Sequence, residues 1–400
     1  MAQNRGDTFE LMELLVKSNN QFTAKMLNSA VAKNAGRSVV MSAFSVLTPL
    51  AQLTLASVGP THDELLRAIG LPNDNVVSLK WKLSMTSPEL IIEGQTRAVL
   101  PSINSSLRKG VEFRTASRIY IPTGNVLDEK FAAFSLKAFN TDAKNVDFNN
   151  KYVTANEINT WVEKATNNRI KKIVNAEAIT SDIRALLVNA IYFKGKWANQ
   201  FEKKLTTARD FHVTKGNKIQ VPTMNRQGNY LYSESSELDA KLLVIPYQNN
   251  EASFVVALPN KVDGIATLLK KLKDPTTLTN ATQSLDKYDV DVFLPSFKIE
   301  TQIDLKDVLI NQNVKKLFSV DAQLEKLVKN SKNIYISGAT QKAFIEVNEE
   351  GTEASAVNVI IPVISPLAPS FKQQFVADHP FVFGIVIEEV LIFNGVYYSP

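Results

Sequence analysis

Apolar residues recur at helical spacing early in the chain and at strand spacing late in it. From Thr8 to Ala32, Leu11, Leu14, Leu15, Phe22 and Met26 fall on one face of a predicted helix that Gly36 closes. Val39 to Met41 then predicts a short buried strand. It turns through Ser42-Ala43-Phe44-Ser45 into a second helix, with Pro49 in its first turns and Leu50, Leu53, Leu55 and Ala56 continuing it. A third helix is predicted over His62 to Ile69, with Thr61 as its cap and Gly70 as its stop. Thr115 to Ile121 reads as a strand and Asp128 to Phe139 as a helix. Ala155 to Ile173 reads as a longer helix whose apolar stripe is Ile158, Trp161, Val162, Ala165 and Ile170. Leu187 to Phe201 is predicted as a central strand ending at Trp197.

In the second half the period changes to two. Val221 to Met224, Lys241 to Tyr247, Ser253 to Pro259, Val290 to Ile299, Phe381 to Ile387 and Leu391 to Tyr397 read as strands, with one short helix at Ile265 to Leu272. Helices gathered in the first half and strands in the second argue for an α+β class. No linker, repeat or low-complexity segment divides residues 1–400, so one domain is expected.

Composition narrows the function by exclusion. With 44% hydrophobic and 21% charged residues, the chain has the make-up of a globular protein with ample core. A net charge of +5 is spread over scattered Lys and Arg, which is no nucleic-acid signature; the tightest cluster, Arg169, Lys171 and Lys172, reads as a solvated helix end. There is no cysteine, and His62, His212 and His379 lack metal-ligand spacing, so neither a metal site nor a cofactor is expected. No stretch is long and apolar enough to span a bilayer as a helix. The opening residues MAQNRGDTFELMELL lack the layout of a signal peptide, whereas the sequons at Asn104 and Asn280 lean towards secretion, leaving both compartments open. Catalytic motifs are missing, and adjacent pairs such as Glu349-Glu350 point apart on a strand, so an enzyme is not expected.

One stretch resists an ordinary reading. Ala343 to Glu349 alternates like a strand; the acidic pair Glu349-Glu350 leads into Gly351 and the small residues Thr352, Ala354, Ser355 and Ala356. Val357 to Ile364 follows, uncharged and rich in β-branched residues, and Pro366 and Pro369 come after it. Such a run is either a buried strand with a flexible lead-in or a strand held out of its sheet, because an exposed one is an aggregation hazard.

EVNEEGTEASA at Glu346 to Ala356, followed by FVADHPFVF, resembles the hinge and distal flank of the reactive-centre loop of the serpins. SAFSVLTPLAQLTLASVGPTHDELLRAIGLP, INTWVEKATNNRIKKIV, LVNAIYFKGKWANQF and VDVFLPSFKI extend the similarity over nearly the whole chain, most like inhibitory insect serpins. The resemblance implies a single domain with helices packed on a large central β-sheet plus further sheets, and an exposed loop at about residues 349–371. It implies a suicide-substrate inhibitor: a protease cleaves the loop, forms an acyl-enzyme, and is trapped when the loop inserts as a new strand into the main sheet. The hinge would be Glu350, Gly351, Thr352, Glu353, Ala354, Ser355 and Ala356. Alternation then directs Thr352, Ala354, Ala356, Asn358, Ile360 and Pro362 inward, and Glu353, Ser355, Val357, Val359, Ile361 and Val363 outward. The small inward residues at the start favour an inhibitor over the alternative, a non-inhibitory serpin acting as carrier, chaperone or storage protein.

The resemblance also implies a sheet-opening region at Ser42, Ser45, Asn189 and Gln341, and an upper-sheet role for Trp197. Gln341 departs from the family, which usually carries a histidine there, so no titration is expected at that position. The family spacing puts the cut at Ser365-Pro366, but a proline after the cut blocks most serine proteases; Ile364-Ser365 is preferred. Ile364 and Val363 suit an elastase-like serine or a papain-like, cathepsin L-type cysteine endopeptidase. The implied partner is therefore a target endopeptidase in covalent complex with a monomer. Nucleic acid and membrane are not expected partners, nor is a polyanion, because Lys80, Lys82, Arg97, Arg108 and Lys109 are dispersed. The similarity to insect serpins favours a secreted, extracellular protein.

Overall fold

A computed structural model describes residues 19–70, 111–139, 143–250, 252–329, 333–352, 372–387 and 390–400. Residues 19–33 form helix α1. Then come β1 (Val39–Met41), α2 (Ala43–Ala56) and α3 (Gly59–Ala68). The middle of the chain holds β2 (Val111–Pro122), β3 (Val126–Leu127), α4 (Glu129–Phe139), β4 (Ala143–Val146), α5 (Lys151–Ala165) and β5 (Leu186–Lys196). Strands dominate afterwards: β6 (Thr207–Thr214), β7 (Asn217–Ser235), β8 (Ala240–Pro246) and β9 (Ala252–Pro259). Helices α6 (Ile265–Lys271) and α7 (Pro275–Gln283) precede β10 (Asp286–Pro295), β11 (Phe297–Asp304) and α8 (Leu305–Ile310). The chain ends with β12 (Val328–Lys329), β13 (Gly338–Asn348), β14 (Gly351–Thr352), β15 (Gln373–Val376), β16 (Phe381–Ile387) and β17 (Val390–Tyr397).

Among the described residues the strands form two large sheets and one small one. The first runs β1-β17-β16-β9-β8-β7-β10-β15, with β6 paired to β7; the second runs β11-β13-β14-β5-β2-β4; β12 and β3 make a pair. The inner faces of the two large sheets meet in one apolar core: Phe113, Ile191, Phe193, Ala343, Ile345 and Val347 come from the second sheet, and Leu243, Phe254, Val292 and Phe383 from the first. Helix α5 covers the outer face of the second sheet, where Ile158 and Val162 pack with Val188, Ala190, Tyr192 and Phe344. The apolar runs in β5 and β13 are thus explained by burial on both faces.

Three local expectations are corrected. Helix α3 begins at Gly59 with Pro60 in its first turn, and Val58, not Thr61, is the N-cap residue. The helix expected to reach Ile173 stops at Ala165, because Asn167 and Asn168 turn left-handed (φ 52° and 60°). Ile170 is buried all the same, in the core beneath α5. Finally, Val290 to Ile299 is not one strand. It divides at Ser296 into β10, paired with β7, and β11, paired with β13, so the chain changes sheets there.

Candidate functional site

Strands β5 and β13 are the centre of the site. They pair directly and in parallel over Gly338–Phe344 and Leu186–Tyr192. Above that seam they part, and β14 lies between them: Gly351 and Thr352 pair antiparallel with Asn348 and Val347 on one side and with Lys196 and Gly195 on the other. The first hinge residues are therefore seated as strand. Gly351 has φ +151°, and a Cβ there would lie 2.0 Å from the Gly195 carbonyl oxygen, so only glycine fits.

The chain reaches this position through a turn that Asn348 organises. Its Oδ1 accepts the Glu350 and Gly351 amides at 3.0 and 3.3 Å, an Asx-type turn. The Glu350 carbonyl accepts the Trp197 amide at 3.1 Å, and the Glu349 carbonyl accepts the Phe201 amide at 2.9 Å. Lys203 Nζ lies 2.8 Å from Glu350 Oε1, and Thr206 Oγ1 donates to Glu349 Oε1 at 2.7 Å. The carboxylate of Glu350 raises the pKa of Lys203 through that hydrogen bond. Trp197 is fully buried and stacks on Tyr247, with centroids 4.7 Å apart and planes 10° from parallel. Its Nε1 donates to the Asn348 carbonyl at 2.8 Å. Thr352 is also fully buried, its Oγ1 2.6 Å from Tyr247 Oη. Burial pushes the Tyr247 phenol above its ordinary range.

The second cluster sits lower, where the seam is closed. Ser42 caps α2 by accepting the Ser45 amide at 3.1 Å. Gln341 Oε1 accepts the Ser42 amide at 3.1 Å, and its Nε2 lies 2.8 Å from the Ser42 carbonyl, 3.0 Å from Ser45 Oγ and 2.7 Å from Asn189 Oδ1. Ser45 Oγ donates to Asn189 Oδ1 at 2.8 Å, and Asn189 Nδ2 donates to Ser45 O at 3.0 Å and Ser117 Oγ at 2.6 Å. Ser42, Ser45, Asn189 and Gln341 are all 1% exposed or less. The amide pair Gln341-Asn189 ties β13 to β5 side chain to side chain, and both amides are anchored below to the start of α2.

The structure thus brings Ser42, Ser45, Asn189 and Gln341 together, and separately gathers Glu350, Gly351, Thr352 and Trp197. Glu353, Ala354, Ser355, Ala356, Ile364, Ser365, Pro366 and Asn104 lie outside the described residues. Asn280 is exposed on α7. Sequence reasoning missed Asn348, whose place two residues before Glu350 is a recognisable turn signal. It also missed Ser117 and Tyr247, which carry no local signal and arrive through strand pairing. Among the described residues, no group of three or more His, Asp or Glu is placed to hold a metal ion.

Comparison with known proteins agrees with this architecture. A family model described as serpin (serine protease inhibitor) matches residues 17–400. Antichymotrypsin-2 of Bombyx mori is 46% identical over 390 residues, 97% of this chain and 99% of its own. Alaserpin of Manduca sexta is 46% identical over 400 residues, 99% of this chain and 96% of its own. Among solved structures, Serpin48 of Tenebrio molitor superposes with a TM-score of 0.84 at 31% identity, covering 97% of this chain and 98% of that one.

Proposed function

The chain belongs to the serpin family of serine protease inhibitors, and on that premise we propose that it traps an endopeptidase as a suicide substrate. It is a protease inhibitor and not an enzyme. The cleaved loop continues the strand that β14 begins, and the bound protease is carried away and distorted before its acyl bond hydrolyses. The observation that carries this reading is the seating of Gly351 and Thr352 between β5 and β13, with the small residues Ala354, Ser355 and Ala356 next in line. Thr352 fills an enclosed site, and alanines following it at alternate positions meet the core without overpacking.

The outward residues suit the same path. Continuing the β14 register, Val357, Val359 and Ile361 fall beside Ala190, Val188 and Leu186 of β5. Ala190 and Val188 are buried, and Leu186 packs against the same core, beneath α5. An uncharged β-branched run belongs under that helix.

The cut falls at Ile364-Ser365, with Ser365-Pro366 as the second register. Apolar Ile364 and Val363 suit an elastase-like serine protease, and a papain-like cysteine protease reads the same pair. The inhibitor acts outside the cell as a monomer. Incubation with elastase and with a cathepsin L-type enzyme, followed by residual activity, denaturing gels and mass spectrometry of the cleaved loop, tests this. A trapped, inactive enzyme and a cut at residue 364 or 365 are expected from one of the two. Slow digestion with no loss of protease activity from either would sink the inhibitor reading.

A further inference from the structure

The chain leaves β13 and enters β14 through a two-residue hairpin loop. Val347 pairs with Thr352 and Asn348 with Gly351, which leaves Glu349 and Glu350 as the loop. Hairpin loops of that length usually take the primed turns, whose twist matches the strands and whose first central residue has a positive φ. Neither Glu349 nor Glu350 has a positive φ. The residue types are instead those of the commonest unprimed turn, with Asn at its first position and Gly at its fourth. An unprimed turn splays the strands that it joins. Turn geometry alone therefore does not hold β14 beside β13, and other bonds must.

Those bonds act from two sides. On the outside of the turn, the Glu350 and Glu349 carbonyls accept the Trp197 and Phe201 amides. On the inside there is one side chain, that of Asn348. Its Oδ1 accepts the amides of both Glu350 and Gly351, while its own carbonyl accepts Trp197 Nε1 at 2.8 Å. Asn348 thus links the end of β13, the two residues that begin the return strand, and the indole that stacks beneath them. Glu350 and Gly351 are buried. Without the Asn348 oxygen, their amides lose an acceptor where water does not readily replace it.

We propose that Asn348 is the positioning residue of trapping: its carboxamide oxygen keeps the hinge seated between β13 and β5, so that a cleaved loop extends a strand already begun. This rests on loop insertion as the mode of inhibition. A strand of two paired residues belongs to the low-stability end of a fold, so a few bonds decide whether it is seated. Insertion proceeds from the seated hinge, and its rate scales with the seated fraction. Asn348 precedes the preferred cut at Ile364-Ser365 by sixteen residues (364 − 348), so it acts on insertion and not on the attack of the protease. The turn uses only the acceptor oxygen. A carboxylate supplies the same acceptor, a serine hydroxyl supplies a shorter and weaker one, and an alkyl group supplies none.

The test compares the parent protein with Asn348→Leu and Asn348→Asp. Hydrogen exchange, read by mass spectrometry, reports the seating of the hinge in the uncleaved form. In the Leu variant the Glu350 and Gly351 amides should exchange roughly five- to hundred-fold faster, the range that one unsatisfied buried donor produces; in the Asp variant they should exchange like the parent. The stoichiometry of inhibition should rise several-fold for Leu and return to the parent value for Asp, with the rate of loop cleavage unchanged in both. A residue that only stabilised the fold would lower the thermal midpoint and leave the stoichiometry in place. Asn348→Ser serves if the Leu variant fails to fold, and should fall between parent and Leu. Parent-like exchange or parent-like stoichiometry in the Leu variant, or an Asp variant as defective as Leu, overturns the assignment while leaving insertion intact. If the parent traps no protease and cleavage leaves its thermal midpoint unchanged, insertion itself is wrong and the assignment falls with it.

Discussion

Thr352→Arg is the substitution that bears most directly on the hinge. Thr352 is fully buried on the core side of β14, and its hydroxyl contacts Tyr247 Oη at 2.6 Å. An arginine cannot remain there as a charge. Glu353 is next in sequence, but alternation along a strand sends it to the opposite face, and Glu350 is already engaged by Lys203. Leaving a buried charge uncompensated costs about 3–5 kcal/mol, and losing the hydroxyl pair adds about 1 kcal/mol. The lower bound alone slows the first step of insertion by roughly a hundred-fold, at a factor of ten per 1.4 kcal/mol. On the proposed mechanism trapping depends on insertion outrunning hydrolysis of the acyl-enzyme, so a delay of that size turns an inhibitor into a substrate. The assay is the stoichiometry of inhibition, titrated by residual protease activity, with gels separating trapped complex from cleaved product. The variant should consume many equivalents per protease inactivated and accumulate as cleaved chain. Thr352→Val is the control: it keeps the bulk and loses only the hydroxyl pair, so its stoichiometry should rise far less. An unchanged stoichiometry for Thr352→Arg would refute the reasoning, since the charge would then have found a cheap place in or beside the sheet.

Three further outcomes follow from the same geometry. Gly351→Ala should unseat β14, because its Cβ would fall 2.0 Å from the Gly195 carbonyl oxygen; a cost of about 1–3 kcal/mol should appear as a lower thermal midpoint of the uncleaved protein. The Asp378 carboxyl, although burial opposes its ionisation, is held below its ordinary value of 3.8 by hydrogen bonding to His379 and by the nearby His212. A depressed folded pKa gives stability that is present above 3.8 and lost as pH falls through the lower folded value; Asp378→Asn should therefore lose stability at pH 7 and match the parent near pH 2, read from denaturation midpoints against pH. Gln341 does not titrate, so closed-sheet stability should show no step from this network between pH 5 and 8, whereas Gln341→His should introduce one. An imidazolium cannot accept the Ser42 amide that Gln341 Oε1 now accepts, and burial also disfavours it, so the histidine variant should lose stability as pH falls below about 6.5.

A glycine followed by small residues is a local signal, and at Gly351 the structure shows its reason, since a Cβ there would meet the Gly195 carbonyl oxygen; the Asx turn of Asn348, three residues upstream, was missed. The network beneath was legible only through resemblance to the family, since Gln341 and Asn189 are 152 residues apart and meet by strand pairing. Ser117 and Tyr247 stayed hidden for the same reason. The errors were local rules overridden by distant partners. Thr61 looks like a helix cap, but its hydroxyl accepts the Gln323 amide at 3.0 Å. Ile170 continues a helical stripe, yet it reaches the core from a loop that Asn167 and Asn168 have turned. Alternation at Val290 to Ile299 reports two faces and is blind to a change of sheet at Ser296.

The polar layer ties the sheet shut where β5 and β13 pair directly, and its members have separate roles. Gln341 bonds Ser42 and Asn189 where the two strands pair directly. Replacing Gln341 with an apolar residue removes that link and should lower the thermal midpoint of the uncleaved protein. Ser42 and Ser45 stand on the helix side of the network, anchored to the start of α2. They anchor both strand amides, Gln341 through the Ser42 carbonyl and Asn189 through the Ser45 carbonyl. A layer of this kind costs little in the core, because both of its strand amides have partners.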